Sequence, residues 1–151
     1  MPRPLPDVAA GHPTYHEGAG LDAPHHLVIR GQPDQVGVAR AFVRQVLGSL
    51  HPGAERVTLL TSELVTNSVG HSDSRREGGT ITVVLRTAAD RIRVEVHDDG
   101  GPSVPTLCCD GDLAETGRGL RLVDAYSLSW DYYRSGTRTV TWFECPPEPI
   151  G

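Results

Sequence analysis

The stretch "LLTSELVTNSVGHS" (residues 59–72) decides how this chain is interpreted. Its apolar residues recur at helical spacing, yet Glu63 and Asn67, the only asparagine in the chain, fall one turn apart among the leucines. Burying a carboxylate and a carboxamide is costly unless both find partners. One interpretation is a satisfied polar pair at the edge of the core. The other is a cleft wall, in which the Asn67 carboxamide oxygen holds a hard cation such as Mg²⁺ and Glu63 acts as a general base.

The composition excludes several classes of protein. The chain has 151 residues, enough for one domain with a real core. Its net charge of −5 argues against direct nucleic-acid binding, which needs a basic face. No apolar run reaches the roughly 18–20 residues that cross a bilayer, and the start lacks a signal-peptide pattern. We therefore expect a cytoplasmic protein that does not enter the membrane, and an odd cysteine count agrees with this.

The absence of lysine is equally informative. All fourteen residues counted as lysine or arginine are arginine. The Walker A phosphate loop and the eukaryotic-type kinase fold both place a lysine on the nucleotide phosphates. Both are therefore excluded.

Local patterns predict eight elements in the order β-α-α-β-β-α-β-β. They are a strand at 25–30, helices at 33–50 and about 54–71, a hairpin within 78–101, a helix at 117–127 and a hairpin within 128–145. This order predicts an α+β fold, a two-layer sandwich with helices on one face of a mixed, mainly antiparallel sheet. We expect the domain at 25–146, with flexible tails at 1–24 and 147–151.

The segment "RVEVHDDGGPSVP" (93–105) allows two interpretations. It fits an ordinary strand that ends in an Asp-Gly turn. It also fits a strand whose Asp98 aims an acceptor into a pocket, where a carboxylate would choose adenine over guanine. Gly100 would then let a flat ligand approach the backbone.

A third segment, "ETGRGLRLVDAY" (115–126), places Gly117 and Gly119 before an amphipathic helix. Backbone N–H groups at such a helix start suit phosphate oxygens, and Arg118 would add a charged donor. The plainer interpretation is a flexible loop capped by a helix, with Arg118 in solvent. Cys108 and Cys109, in the loop before it, are interpreted as incidental thiols rather than a zinc site.

The three segments together are more specific than each alone. An E-x-x-x-N helix, a strand ending in D-x-G and G-x-G-L opening a helix fall within about 60 residues. This combination resembles the ATP-binding domain of the GHKL superfamily, the Bergerat fold. With "RTVTWFE" (138–144), the chain looks like the small, stand-alone histidine-kinase-like ATPases of actinobacteria over nearly all of residues 25–145.

The resemblance implies roles for the residues that match the family's general base, its magnesium ligand and its adenine contacts. Glu63 matches the family's general base, and Asn67 matches its magnesium ligand. Asp98 matches the aspartate that receives adenine's amino group, with Gly100 beside it. In the family, a threonine near the end of the domain supports the adenine-binding aspartate. Thr139 matches it, with Thr137 and Thr141 as alternatives.

On the phosphate side, Gly117, Gly119 and Leu120 match the family's loop and helix start, with Arg118 between the glycines. Pro102 is a departure, because it stands where the family has the last glycine of its glycine-rich motif. Proline stiffens that loop.

The characterised relatives are anti-sigma factors that are also serine kinases, which implies ATP or ADP and Mg²⁺ as ligands. One hypothesis is therefore a kinase that holds a sigma factor and phosphorylates its antagonist, an anti-anti-sigma protein. The rival hypothesis is a non-catalytic nucleotide-binding switch that sequesters such a partner. The catalytic part of a two-component histidine kinase fits poorly, because no helical hairpin with a phosphoacceptor histidine is seen. A homodimer is among the expectations, since the relatives often pair.

Overall fold

The chain builds one five-stranded sheet with three helices over one face. In this computed structural model the described residues are 20–102, 104–105 and 114–148, without the side chains of 114–119. The strands are β1 (His25–Arg30), β2 (Thr80–Thr87), β3 (Ile92–Asp98), β4 (Ser129–Ser135) and β5 (Arg138–Cys145). The helices are α1 (Val36–Leu47), α2 (Ala54–His71) and α3 (Ala114–Tyr126), with 3₁₀ turns at Pro33–Gln35 and Asp73–Arg75.

The predicted element order and the mainly antiparallel sheet are confirmed. The strand order is β1-β2-β3-β5-β4, and all four pairings between described strands are antiparallel. The first predicted hairpin turns through Ala88, whose N–H donates to the Arg91 carbonyl at 2.8 Å. With two strands on each side of it in this order, β3 is the central strand of the sheet.

The apolar alternation in the sequence becomes the inner face of this sheet. β2 and β3 direct alternate residues towards the helices: Ile81, Val83, Leu85, Ile92, Val94 and Val96. From α2 they meet Val57, Leu60, Leu64 and Val65. Because α2 lies between α1 and α3 and contacts both β3 and β5, it is held on every side except the one that faces solvent.

The third helix begins earlier than the sequence predicted. α3 starts at Ala114, so Gly117 and Gly119 lie within its first turns instead of preceding it. Alanine and glutamate are strong helix formers, and Ala114 and Glu115 explain the extension. The prediction of a glycine-led helix is therefore wrong in its boundary.

Several predictions fall outside the described residues. Residues 1–19 and 149–151, which make up most of the two predicted tails, lie there, and so do Cys108 and Cys109. Among the helices that the structure does describe, none combines the length and apolar character needed to cross a membrane.

Charged side chains cover the face of β3 and β5 that points away from the helices. Arg93 Nε donates to Glu95 Oε2 at 3.0 Å, and Arg93 Nη1 donates to Glu144 Oε2 at 3.3 Å. The Arg93 guanidinium lies 4.2 Å from the centre of the Trp142 ring. His97 Nε2 lies 2.8 Å from Glu95 Oε1. Because these carboxylates and the guanidinium are buried, the network ties the central strand to β5.

This network also sets the charge state of Glu95. Burial alone would raise the pKa of Glu95, but the hydrogen bond with His97 and the charge and hydrogen bond of Arg93 lower it from 4.5 to about 2. A depressed pKa in the folded state means that the stabilisation is fully present above pH 4.5 and is lost as the pH falls towards 2.

We predict that acidification from pH 4.5 to about 2 removes about 3 kcal/mol of unfolding free energy through Glu95. Urea denaturation followed by circular dichroism across this range measures the loss. Glu95→Gln should flatten the pH dependence by that amount, whereas substitution of an exposed glutamate, Glu77→Gln, should leave it unchanged. A Glu95→Gln curve parallel to the wild-type curve would show that the network does not hold Glu95 ionised.

Candidate functional site

Glu63 and Asn67 lie at the boundary between the buried and exposed faces of α2. Both are half-buried, and they lie four positions apart, about 6 Å of helix rise. The adjacent Leu60 and Leu64 are buried in the core. Within the described part of the chain, neither polar side chain has a hydrogen-bond or ion-pair partner. No contact within that part of the chain competes with a ligand for either group.

Asp98 ends the central strand with a buried carboxylate, and the residue is only 5 % exposed. Ser68 Oγ, on α2, donates to Oδ2 at 2.7 Å, and the Gly100 N–H donates to Oδ1 at 2.8 Å. Burial raises the pKa of Asp98, and the hydrogen bonds from Ser68 and Gly100 act against that rise. Each carboxylate oxygen can accept a second hydrogen bond, so the group can still receive a donor such as an exocyclic amine.

The turn that follows β3 is fixed from three sides. The Gly100 carbonyl accepts from the Asp73 N–H at 2.7 Å. The Gly101 carbonyl accepts from Arg134 Nη2 at 2.8 Å. Gly100 has a φ of +76°, and a Cβ built on it would collide with the carbonyl oxygen of Thr137. Local packing therefore requires glycine here, and the backbone beside the carboxylate carries no side chain.

Thr139 lies directly opposite Asp98 in the pairing of β3 with β5. Directly opposed residues are the nearest neighbours across two strands on one face of a sheet, so this register places Thr139 beside Asp98, whereas Thr141 lies opposite Val96. Thr139 is 2 % exposed, and its Oγ1 has no hydrogen-bond partner in the described part of the chain. Buried hydroxyls are normally paired, so this atom is one that a ligand or water would satisfy.

The residues predicted for the phosphate side lie on α3. Leu120 is buried in the core, and α3 packs against α2. The helix that carries Gly117, Arg118 and Gly119 therefore lies beside the helix that carries Asn67. The Arg118 side chain is not among those described, and the phosphate-binding roles stay predictions.

The donor atoms fit a magnesium ion that arrives with phosphate. No group of three His, Cys, Asp or Glu side chains suited to a metal occurs among the described residues. Mg²⁺ does not need one, because it keeps several waters and takes one or two protein oxygens together with substrate phosphates. The Asn67 carboxamide oxygen, with Glu63 one turn away, matches that smaller set.

A separate cavity of about 490 Å³ lies between α1 and the first turns of α2. Arg40, Arg44 and Thr58 line it, whereas Glu63 and Asp98 do not. It is therefore distinct from the cluster of polar groups at the end of β3.

Sequence reasoning missed Ser68, Asp73 and Arg134. Ser68 carried a weak signal, because it lies at helical spacing from the apolar Leu64 and Val65 and so should be buried. Asp73 contributes its backbone N–H, and Arg134 contacts a backbone carbonyl. Contacts that involve backbone N–H and carbonyl groups are not indicated by any pattern of residue types.

Comparison with known proteins gives matches over most of the described domain. A family model for the histidine kinase-like ATPase domain matches residues 29–144. The serine-protein kinase RsbW of Bacillus velezensis is 28% identical over 113 residues, which cover 65% of this chain and 70% of that protein. A crystal structure of the RsbU and RsbW domains of a Mycobacterium tuberculosis protein matches with a TM-score of 0.57 and 19% identity, over 86% of this chain and 35% of that one. The chain thus spans about a third of that solved chain, and the match confirms the predicted fold.

Gly100→Ala should destabilise the protein more than Gly136→Ala. The two glycines have φ values of +76° and +61°, so an alanine strains either position by about 1–2 kcal/mol. Only at Gly100 would the added Cβ meet a backbone atom, while at Gly136 it meets open space. We expect the loss of unfolding free energy at Gly100 to exceed that at Gly136 by at least about 1 kcal/mol in urea denaturation. Equal losses would contradict the tight packing of the turn after β3.

Proposed function

Since this chain belongs to the histidine kinase-like ATPase domain family, we propose that the cluster around Glu63, Asn67 and Asp98 binds an adenine nucleotide with Mg²⁺. The buried Asp98 carboxylate carries the proposal. Ser68 and Gly100 hold it as a hydrogen-bond acceptor. Adenine offers its 6-amino group to such an acceptor, whereas guanine has a carbonyl oxygen at that ring position, and in the same pose this would leave the buried group unpaired.

The reaction we propose is phosphoryl transfer from ATP to a serine of a protein partner. The Glu63 carboxylate takes the proton of the serine hydroxyl, and the serine oxygen forms a bond to the γ-phosphorus. The bond between that phosphorus and the β–γ bridging oxygen breaks, and ADP leaves. Mg²⁺, when bound, neutralises charge on the phosphates, and Asn67 would supply one of its oxygen ligands. Gly117, Arg118 and Gly119, in the first turns of α3, would lie beside the phosphates.

The partner classes follow from the family resemblance. A sigma factor would be the protein that is held, and an anti-anti-sigma protein would be the phosphoryl acceptor. The net charge of −5 favours protein partners over nucleic acid. A homodimer stays a prediction.

A second function is nucleotide-controlled partner binding without catalysis. Pro102 favours it, because this exposed proline directly follows Gly101 and stiffens the turn beside the site. Both functions use the same nucleotide contacts. Phosphoryl transfer itself is what separates them.

We predict that Glu63→Ala reduces phosphorylation of an anti-anti-sigma partner about 10²–10⁴-fold, the usual cost of losing a general base. Labelled ATP, Mg²⁺ and the partner protein are incubated with each variant, and phosphoserine is measured. Glu55→Ala, an exposed glutamate on the same helix, serves as the control and should keep wild-type transfer.

Nucleotide binding by the wild type without any transfer would support the switch instead. Transfer that survives in Glu63→Ala would remove Glu63 from the mechanism.

Asn67→Ala should weaken binding of ATP with Mg²⁺ by about tenfold or more, because even outer-shell metal partners contribute that much. Binding of ADP without Mg²⁺ should change little. Calorimetry measures both ligands, and Thr66→Ala, an exposed neighbour on the same turn, is the matched control. Equal losses for the two ligands would show that Asn67 is structural rather than a metal ligand.

A further inference from the structure

The contact between Ser68 and Asp98 joins two buried side chains from different elements. Ser68 is 4 % exposed on α2 and Asp98 is 5 % exposed at the end of β3. Their 2.7 Å hydrogen bond runs from the serine Oγ to Oδ2. We propose that Ser68 is the positioning residue that sets base selectivity, by orienting the Asp98 carboxylate so that it accepts the exocyclic amine of adenine. This inference rests on the proposed adenine nucleotide site.

The acceptor capacity of the carboxylate supports this role. Gly100 N–H occupies one acceptor position on Oδ1, and the Ser68 hydroxyl occupies one on Oδ2. Each donor bonds a different oxygen, one from a residue before Asp98 in the chain and one from a residue after it. Together the two contacts set the plane of the carboxylate. The acceptor positions that remain have a fixed direction as well. A base that offers a donor there gains a hydrogen bond to a charged group, and a base that offers an acceptor meets a buried carboxylate unpaired.

Ser68 is itself held in place by two further serines. Its carbonyl accepts from Ser72 Oγ at 2.7 Å, and that hydroxyl accepts from the Ser74 N–H at 3.1 Å. Ser74 Oγ donates to the Thr80 carbonyl and accepts from the Asp99 N–H, both at 2.8 Å. This chain of contacts starts at the C-terminal turn of α2 and ends on the residue after Asp98. The donor and the acceptor of the selective contact are therefore parts of one rigid assembly.

The burial of Asp98 makes the serine hydroxyl consequential. In a site with so little solvent, water cannot readily replace a lost donor, so a carboxylate without Ser68 keeps only the Gly100 contact. Alanine leaves the backbone and the helix intact while it removes that donor. The substitution therefore changes the orientation and the charge balance of the acceptor without removing the acceptor.

The helix also relates the two ends of the nucleotide. Ser68 follows Asn67 directly, so their side chains leave α2 about 100° apart at the same level. One turn of α2 thus faces both the base contact and the proposed metal contact. A change confined to Ser68 should affect base selection and leave the dependence on Mg²⁺ unchanged.

The test compares two ligands on two proteins in the absence of Mg²⁺. The ligands are ADP and the diphosphate of purine riboside, in which hydrogen replaces the exocyclic amine, and the proteins are wild type and Ser68→Ala. We expect wild type to prefer ADP, and Ser68→Ala to lose about tenfold or more in ADP affinity with a much smaller change for the other ligand. Calorimetry gives all four dissociation constants. Equal weakening of both ligands, or no weakening of ADP, would overturn the role of Ser68.

Two further variants act as controls. Ser62→Ala removes another buried hydroxyl of α2, one that donates to the Leu59 carbonyl oxygen at 2.9 Å and not to Asp98. This variant should leave the ADP preference unchanged. Ser68→Thr keeps the hydroxyl donor and should retain the preference that Ser68→Ala loses. If wild type binds neither ligand, the proposed nucleotide site fails and the inference falls with it. If wild type prefers ADP but Ser68→Ala keeps the full preference, only the role of Ser68 fails.

Discussion

Asp98 places an ionisable group at the end of the central strand, where burial penalises its charge. Ser68 reaches it from α2, and Gly100 reaches it from the turn that follows. These two donors oppose the penalty and leave the carboxylate able to accept one more. The two donors reach the carboxylate only while α2 and the turn after β3 keep their positions relative to the central strand.

The site is built on regular elements and not on loops alone. α2 packs between α1 and α3 over the centre of the sheet, so its polar residues are placed by a helix with neighbours on both sides. On the other face of the sheet, the ion pairs of Arg93 with Glu95 and Glu144 tie β3 to β5 and so fix Thr139 opposite Asp98. Groups placed by packed elements are held more precisely than groups on loops.

The sequence was sufficient for the element order and for the face of α2 that carries Glu63 and Asn67, because both follow from helical and strand periodicity. The family resemblance favoured Thr139 but left Thr137 and Thr141 open, and it is the pairing of β3 with β5 that places Thr139 opposite Asp98. The sequence was insufficient for the start of α3. Two glycines suggested that the helix begins at Gly117, but it begins at Ala114. Ser68 was missed because a serine inside a helix is compatible with many structural roles. Its partner, Asp98, lies in another element. Arg134 was missed because a contact with a backbone carbonyl leaves no trace in residue types.

The most direct test of the account asks whether an adenine nucleotide binds at the end of β3. Amide chemical shifts of the isotope-labelled protein are followed while ADP or GDP is added. We expect ADP to shift the amides of Ser68, Gly100 and Thr139, and GDP at the same concentration to leave them unchanged. This expectation would be contradicted if ADP produced no shifts at millimolar concentration, or if the shifts were confined to residues of the cavity between α1 and α2, such as Arg44.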